Sequence, residues 1–403
     1  MKKILIFSLA YYPDTVGGAE VAIKEVTDRI KSDEIEFHMV TLRYNSNLPR
    51  SEKIGNVLIH RIGFTKNNPT MEDLKKFPLH YNKHLYQILA ALKGVSLHKK
   101  YKYDGIWAMM AHSCGVPAAI FKFIQPKIKY FLTLQEGDPP EQIEKMMKPV
   151  WPFFSRAFTS ADAIQPISNF LKDWAVKRGF KGSIKVIPNG FSPASFSVKH
   201  SEEEINKLRE KLGKKEGDVY LVTVSRLVHK NAIDDVIKAM PKLPENIKFI
   251  VVGGGPDDEK LKDLAKELEV QDRVKFIGQV DRTETAKYRA VSDIFIRPSR
   301  SEGMGNSFIS TMVASLPIIT TQEGGIADFL FDAKRNPDKS TTGWAVDKDS
   351  PDQIVEAVFD IIKNPDQVKK VVGNAYNLAY EKYNWDFIAR DIQKDIFGEV
   401  FKK

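Results

Sequence analysis

At 403 residues the chain is more than twice the length of a usual domain, and its 42% hydrophobic and 28% charged residues are ordinary globular values. Two domains are expected, and a single small module, a disordered chain and a fibrous repeat are excluded. The net charge of +9 is uneven: the first 200 residues hold 29 Lys and Arg against 17 Asp and Glu (+12), the remainder 32 against 35 (−3).

Met1-Lys2-Lys3 ahead of Ile4 to Ala10 has the outline of a signal peptide, but the apolar run is short, leads into Tyr-Tyr-Pro and lacks a small-x-small cleavage site. It reads as a first buried strand over residues 3–9. Pro13-Asp14-Thr15-Val16-Gly17-Gly18 follows as a loop, and residues 19–30 as a helix with apolar positions at helical spacing. Further apolar strands are expected at 37–41, 57–62, 105–109, 130–134 and 163–167. Between them, a basic segment with His80, His84 and His98 places Leu85, Ile88, Leu89 and Leu92 at i, i+3, i+4 and i+7, the spacing of a core-facing helix. Membrane contact is the alternative use of that stripe, and Lys83, Lys93, Lys99 and Lys100 beside it suit an anionic surface. No stretch approaches the ~20 apolar residues of a membrane-spanning helix.

Pro188-Asn189-Gly190-Phe191-Ser192-Pro193-Ala194-Ser195 is dense in turn formers and reads as a linker. The second half repeats the grammar, with strands at 219–224, 248–252, 274–277, 294–297 and 317–320 and helices at 232–240, 259–267, 283–290, 305–314 and 351–364. Strands alternating with helices imply α/β domains with doubly wound parallel sheets, so two Rossmann-like domains in tandem are expected. The single cysteine, Cys114, excludes an intramolecular disulfide and a thiolate-rich metal site and suits a reducing cytoplasm.

Four loops offer chemistry. Gly17-Gly18 stands between a strand and a helix, where backbone N–H groups can approach a phosphate; a tight turn explains it as well. Val252-Gly253-Gly254-Gly255-Pro256 lacks the third glycine of a dinucleotide fingerprint and reads as a turn opening a helix, which also disfavours a nicotinamide oxidoreductase. Val224-Ser225-Arg226-Leu227-Val228-His229-Lys230-Asn231 sets two cations just past a strand, suited to a diphosphate leaving group, with a solvated basic loop or a buried structural arginine as the alternatives. Pro298-Ser299-Arg300-Ser301-Glu302-Gly303-Met304-Gly305-Asn306-Ser307 adds a carboxylate and glycines that open a helix, and Gln322-Glu323-Gly324-Gly325 repeats the idea one strand later.

In order and spacing these stretches resemble the retaining glycosyltransferases of family four, which have the GT-B architecture of two Rossmann-like domains facing a cleft. The resemblance runs from Gly17-Gly18-Ala19-Glu20 through Val186-Ile187-Pro188-Asn189-Gly190 and Ser225-Arg226-Leu227-Val228 to Ser301-Glu302-Gly303-Met304-Gly305. It implies an acceptor-side domain at 1–190, a nucleotide-sugar-binding domain at 191–374 and a helical tail at 375–403 that packs back on the first domain. It further implies transfer of a hexose-type sugar from a nucleoside diphosphate to a hydroxyl acceptor, in glycan, glycolipid or cell-envelope polysaccharide synthesis. A non-catalytic nucleotide-sugar-binding protein is the rival reading.

Carried over by motif, Arg226, Lys230 and Glu302 would be catalytic, the cations offsetting the diphosphate and Glu302 bonding donor sugar hydroxyls. Gly17, Gly18, Val280, Met304, Gly305, Asn306, Ser307 and Ser310 would contact the donor, and His112 and Gln135 would lie on the acceptor side or in the cleft, with a structural role equally open for His112. Three positions depart from the family pattern: Ser310 stands where a second glutamate usually grips the ribose, Asn231 where the lysine is common, and Thr133-Leu134-Gln135-Glu136 where many members have Val-His-Gly. No cofactor and no metal are expected, and Asp347-x-Asp349 only superficially resembles a metal motif. The partners expected are a nucleotide-sugar and a hydroxyl acceptor, lipid-linked or anionic, with peripheral membrane contact through the basic first domain and no nucleic acid. A cytoplasmic location, at the inner face of the membrane, goes with them.

Overall fold

The computed structural model describes residues 1–13, 17–70, 72–193 and 200–401. Asp14, Thr15 and Val16 of the first glycine loop, and Ala194 and Ser195 of the expected linker, lie outside the described residues. Contacts divide the chain into two units, Met1–Asn189 with Trp385–Lys403, and Gly190–Asn384.

The first unit is built on an eight-stranded sheet of β1 (Lys2–Phe7), β2 (Ile35–Leu42), β3 (Ser51–Ile54), β4 (Val57–Ile62), β5 (Gly105–Met109), β6 (Lys129–Leu134), β7 (Ala163–Pro166) and β8 (Ser183–Ile184), in the order β3-β4-β2-β1-β5-β6-β7-β8. Only the β3–β4 pairing is antiparallel. Ile4, Leu5, Ile6 and Phe7 are wholly buried, as a central parallel strand covered on both faces requires. Each such side chain contributes about 1.5–3 kcal/mol relative to exposure. β3 and β8 were not expected from the sequence, because one alternates exposed and half-buried residues and the other has two residues.

The second unit carries six parallel strands, β9 (Val219–Val224), β10 (Ile247–Val252), β11 (Val274–Gly278), β12 (Ile294–Arg297), β13 (Ile318–Thr320) and β14 (Trp344–Ala345), in the order β11-β10-β9-β12-β13-β14. Chain progression reverses between β9 and β12 here, and between β1 and β5 in the first unit. Ligands of doubly wound sheets bind outside the strand carboxyl ends at such a reversal, so these are the two places to look for a site.

Two expectations need correction. The stripe of Leu85, Ile88, Leu89 and Leu92 does not face the core: on the helix Asn82–Tyr101 these residues are 37%, 57%, 41% and 54% exposed. The helix instead buries Tyr86, Ala90, Ala91, Gly94 and Leu97. A Cβ at Gly94 would lie 2.9 Å from Phe7 Cζ, so this face approaches the sheet too closely for large side chains. Tyr86 Oη donates to Ser8 O at 3.0 Å or Val40 O at 2.8 Å, fixing the rotation of the helix. Helical spacing identified an apolar stripe but not the stripe that packs.

The tail rejoins the first unit at Trp385, later than the expected residue 375. The helix Pro365–Lys382 runs unbroken past that point and buries Val371, Ala375 and Ala379. From Trp385 onward, Trp385, Ile388, Ile392 and Phe397 enter the core of the first unit, with Phe397 5.1 Å from Trp107 between ring centroids. Among the described residues no helix is long and apolar enough to cross a membrane.

Candidate active site

At the reversal in the second unit, the loop after β9 is pinned through its backbone. Leu227 N donates to Gly254 O at 3.1 Å, Asp257 N to Leu227 O at 3.1 Å, and Asn231 Nδ2 to Arg226 O at 2.7 Å. Asn231, in the position where a lysine is common, is therefore buried and structural. The Arg226 side chain is exposed and makes no hydrogen bond or ion pair with a described residue. Lys230, half-buried, lies in the turn His229–Asn231, whose position is set by Arg300. Arg300 N donates to Lys230 O at 2.7 Å, and its guanidinium binds Asp234 at 2.8 and 2.9 Å, Asp235 at 2.9 Å and His229 O at 2.7 Å. Burial alone would raise the Asp234 carboxyl, but the bonds from Arg300 and Lys238 hold it well below the usual carboxylate range.

On the other side of the reversal, β12 ends in Arg297, a residue the sequence reading passed over. It is 5% exposed, donates through Nη1 to Ser307 Oγ at 2.8 Å and through Nη2 to Glu302 Oε2 at 2.9 Å, and lies 4.1 Å from the Phe308 ring centroid. Burial lowers its pKa and Glu302 partly restores it. Glu302 Oε1 accepts from Gly303 N at 3.1 Å, and the Glu302 carbonyl accepts from Gly325 N at 2.9 Å, which ties the second glycine loop to the first. Gly305 caps the helix Asn306–Val313 with φ +85°, and a Cβ there would lie 2.6 Å from both Arg297 Nη2 and Phe308 Cδ2. Only glycine satisfies both the left-handed backbone and the close approach of Arg297. Met304 is buried; Gly305, Asn306 and Ser307 are half-buried, with the Ser307 hydroxyl already held by Arg297.

Arg289 was missed as well. Its guanidinium is buried, Nε makes no hydrogen bond, and burial followed by the charge of Arg297 brings its pKa down to about 10. The loop after β9 thus presents an exposed guanidinium, Arg226, that no described carboxylate pairs, while at the end of β12 two buried guanidinium groups, Arg297 and Arg289, accompany the carboxylate of Glu302. Val280 lies apart from this group, beyond the edge strand β11 and half-buried. Asp347 pairs with Arg335 at 2.9 Å and Asp349 with Arg300 at 2.6 Å, so both carboxylates of the supposed metal motif hold guanidinium groups. Among the described residues no three metal-ligating side chains come together.

Ser310 is half-buried on the helix Asn306–Val313, one turn beyond Asn306, and its hydroxyl makes no hydrogen bond with a described residue. Ser310→Glu is expected to tighten nucleoside diphosphate binding by about 1 kcal/mol, the scale of one added hydrogen bond, as read by calorimetry. Weaker binding in the variant would show that no ribose hydroxyl lies within its reach.

At the reversal in the first unit, Gly17 and Gly18 are exposed, but Gly17 N donates to Glu20 Oε2 at 2.7 Å. The chain's own carboxylate thus caps the helix Gly18–Arg29 at an amide expected to face a phosphate. Burial raises the Glu20 pKa, against the backbone bonds that favour the ionised form. Beyond β5 and β6 the hub is Glu136, 2% exposed, which accepts from Ala111 N at 2.5 Å and Gln135 N at 2.9 Å. His112 Nδ1 lies 3.4 Å from Glu136 Oε1, with its side chain 25% exposed. Gln135 and Asn189 exchange two amide hydrogen bonds of 3.1 Å, so Gln135 anchors the Pro188-Asn189-Gly190 turn. The sequence signal for Glu136 is a carboxylate directly after an apolar strand.

The family model described as "Glycosyltransferase Family 4" matches residues 16–195, and "Glycosyl transferases group 1" matches residues 204–378. An uncharacterized glycosyltransferase of Methanocaldococcus jannaschii is 25% identical over 397 residues, covering 96% of each chain. The alpha-monoglucosyldiacylglycerol synthase of Streptococcus pneumoniae is 28% identical over 236 residues, covering 56% of this chain and 54% of its own. Among solved structures, the sucrose-phosphate synthase of Thermosynechococcus elongatus superposes with a TM-score of 0.79 at 16% identity, covering 100% of this chain and 99% of its own.

Proposed function

The chain belongs to glycosyltransferase family 4, with the GT-B fold and a nucleotide-sugar donor, and from that premise we propose that it moves a hexose-type sugar onto the hydroxyl of a membrane glycolipid precursor, without a metal. The observation that carries the donor side is the exposed Arg226 guanidinium, unpaired by any described carboxylate, on the loop at the chain reversal of the second unit. As the anomeric C–O bond breaks, its electron pair passes to the phosphate oxygen, and Arg226, Lys230 and the amino end of the helix Asn306–Val313 stabilise that charge most in the transition state. Buried Arg297 fixes Glu302, whose remaining lone pairs accept sugar hydroxyls. The acceptor oxygen bonds to the anomeric carbon on the face the phosphate leaves, and the departing phosphate takes its proton. His112 and Gln135 in the first unit serve the acceptor side.

The lipid acceptor is supported by the exposed stripe. Leu85, Ile88, Leu89 and Leu92 form one apolar face of the helix Asn82–Tyr101, with exposed Lys99 on the same side and exposed Lys100 at the helix's carboxyl end. A helix of this kind lies in an anionic bilayer interface, and a family relative is named for making a diacylglycerol glycolipid. Lys93, half-buried, does not share this face. Neutralising Lys99 and Lys100 together is expected to weaken binding to phosphatidylglycerol vesicles by roughly ten- to thirtyfold, at about 1 kcal/mol per lysine, and to flatten its salt dependence. Sedimentation with vesicles reads this, and indifference of the wild type to anionic vesicles at low salt would overturn the lipid acceptor.

A further inference from the structure

At the β3–β4–β2 edge of the first unit, a cavity of about 420 Å³ is lined by Arg43, Arg50, Ser51, His60, Arg61 and Lys93 among others, and no carboxylate is among its lining residues. The basic groups come from four places: Arg43 follows β2, Arg50 precedes β3, His60 and Arg61 belong to β4, and Lys93 reaches in from the helix Asn82–Tyr101. Arg61 is spoken for, since it pairs with Glu52 and donates to Pro49 O at 3.1 Å and Tyr12 O at 3.0 Å. The others are not. Arg43 donates once, to Ser46 O at 2.6 Å, and its Nε is buried without a hydrogen bond. Neither the Arg50 guanidinium nor the half-buried Lys93 ammonium bonds to a described residue. His60 is 7% exposed; burial, then the charges of His38, Lys93 and Lys100, push its pKa down to about 4.

Three cations therefore converge on one concavity without a compensating acid, at mutual electrostatic cost. Two arginine forks and an ammonium, with Thr65 also in the lining, match the several acceptor oxygens of a tetrahedral anion better than one carboxylate, while the Ser51 hydroxyl already donates to Ile59 O at 2.9 Å. The volume admits more than a bare ion. We propose that this cavity is a phosphate-binding site, which takes the phosphate of a phosphomonoester or phosphodiester ligand. It is distinct from the diphosphate site of the second unit and stands or falls apart from the donor chemistry.

Calorimetric titration of the full chain with inorganic phosphate and with glycerol 3-phosphate tests it, alongside the Arg50→Gln/Lys93→Gln double variant. Both positions are at least partly solvent-exposed, so the variant folds, as unchanged affinity for nucleoside diphosphate would verify. Saturable binding to the wild type is expected, weakened roughly tenfold or more in the variant, together with a shift of the His60 ring resonance on phosphate addition. Competition by phosphatidic acid vesicles but not phosphatidylcholine vesicles would assign the phosphate to a lipid headgroup; binding of glycerol 3-phosphate without such competition would assign it to a soluble ligand. No saturable binding, or equal affinity in wild type and variant, would overturn the site.

Discussion

Arg226→Ala is expected to lower kcat for sugar transfer by roughly 100- to 1000-fold while weakening donor binding far less, about tenfold. The loop that carries Arg226 is held by Gly254, Asp257 and Asn231 through backbone contacts, none of which uses the guanidinium. Removal of the side chain thus leaves the fold intact and deletes a cation whose interaction grows as the phosphate gains charge. Turnover and calorimetric donor affinity, measured side by side, separate the two effects. An equal fall in both would make Arg226 a ground-state anchor.

Glu302→Gln should cost transfer by a similar factor, since hydrogen bonds to a charged acceptor contribute about 1.5–3 kcal/mol each and two sugar hydroxyls are within the capacity of a carboxylate. Here the structure adds a complication absent from the motif. Glu302 is the counter-charge of Arg297, whose side chain is 6% exposed, so neutralising it also leaves a buried guanidinium uncompensated. Glutamine still accepts from Arg297, and nucleoside diphosphate affinity should therefore survive even as the melting temperature falls. Wild-type turnover would remove Glu302 from the mechanism. Loss of nucleotide binding together with unfolding would make it a structural partner of Arg297 only.

The strands at the centre of both sheets were legible because parallel strands buried on both faces must be continuous apolar runs, as Ile4 to Phe7 illustrates. Edge strands carry no such requirement, which is why Ser51–Ile54 and Trp344–Ala345 left no signal. The helix Asn82–Tyr101 shows a different limit: its packed face is made of alanine, glycine and tyrosine, so the more hydrophobic stripe was the wrong one to bury. For the site, local motifs marked the loops, and the side chains that organise them escaped notice. Arg297 was read as the last residue of a strand, and Arg289 as part of a polar helix. The cations of the first-unit cavity come from segments with no common spacing, and only the pairing of β2, β3 and β4 brings most of them together.

The most direct test of the catalytic account is incubation of the full chain with a panel of nucleoside-diphosphate hexoses and lipid acceptor vesicles, following free nucleoside diphosphate and the anomeric configuration of the glycolipid by NMR. The account predicts one preferred donor, nucleoside diphosphate released in step with glycolipid, the donor's anomeric configuration kept in the product, and all of these lost together in Arg226→Ala. Inverted product, or transfer that proceeds unchanged in Arg226→Ala, would contradict it.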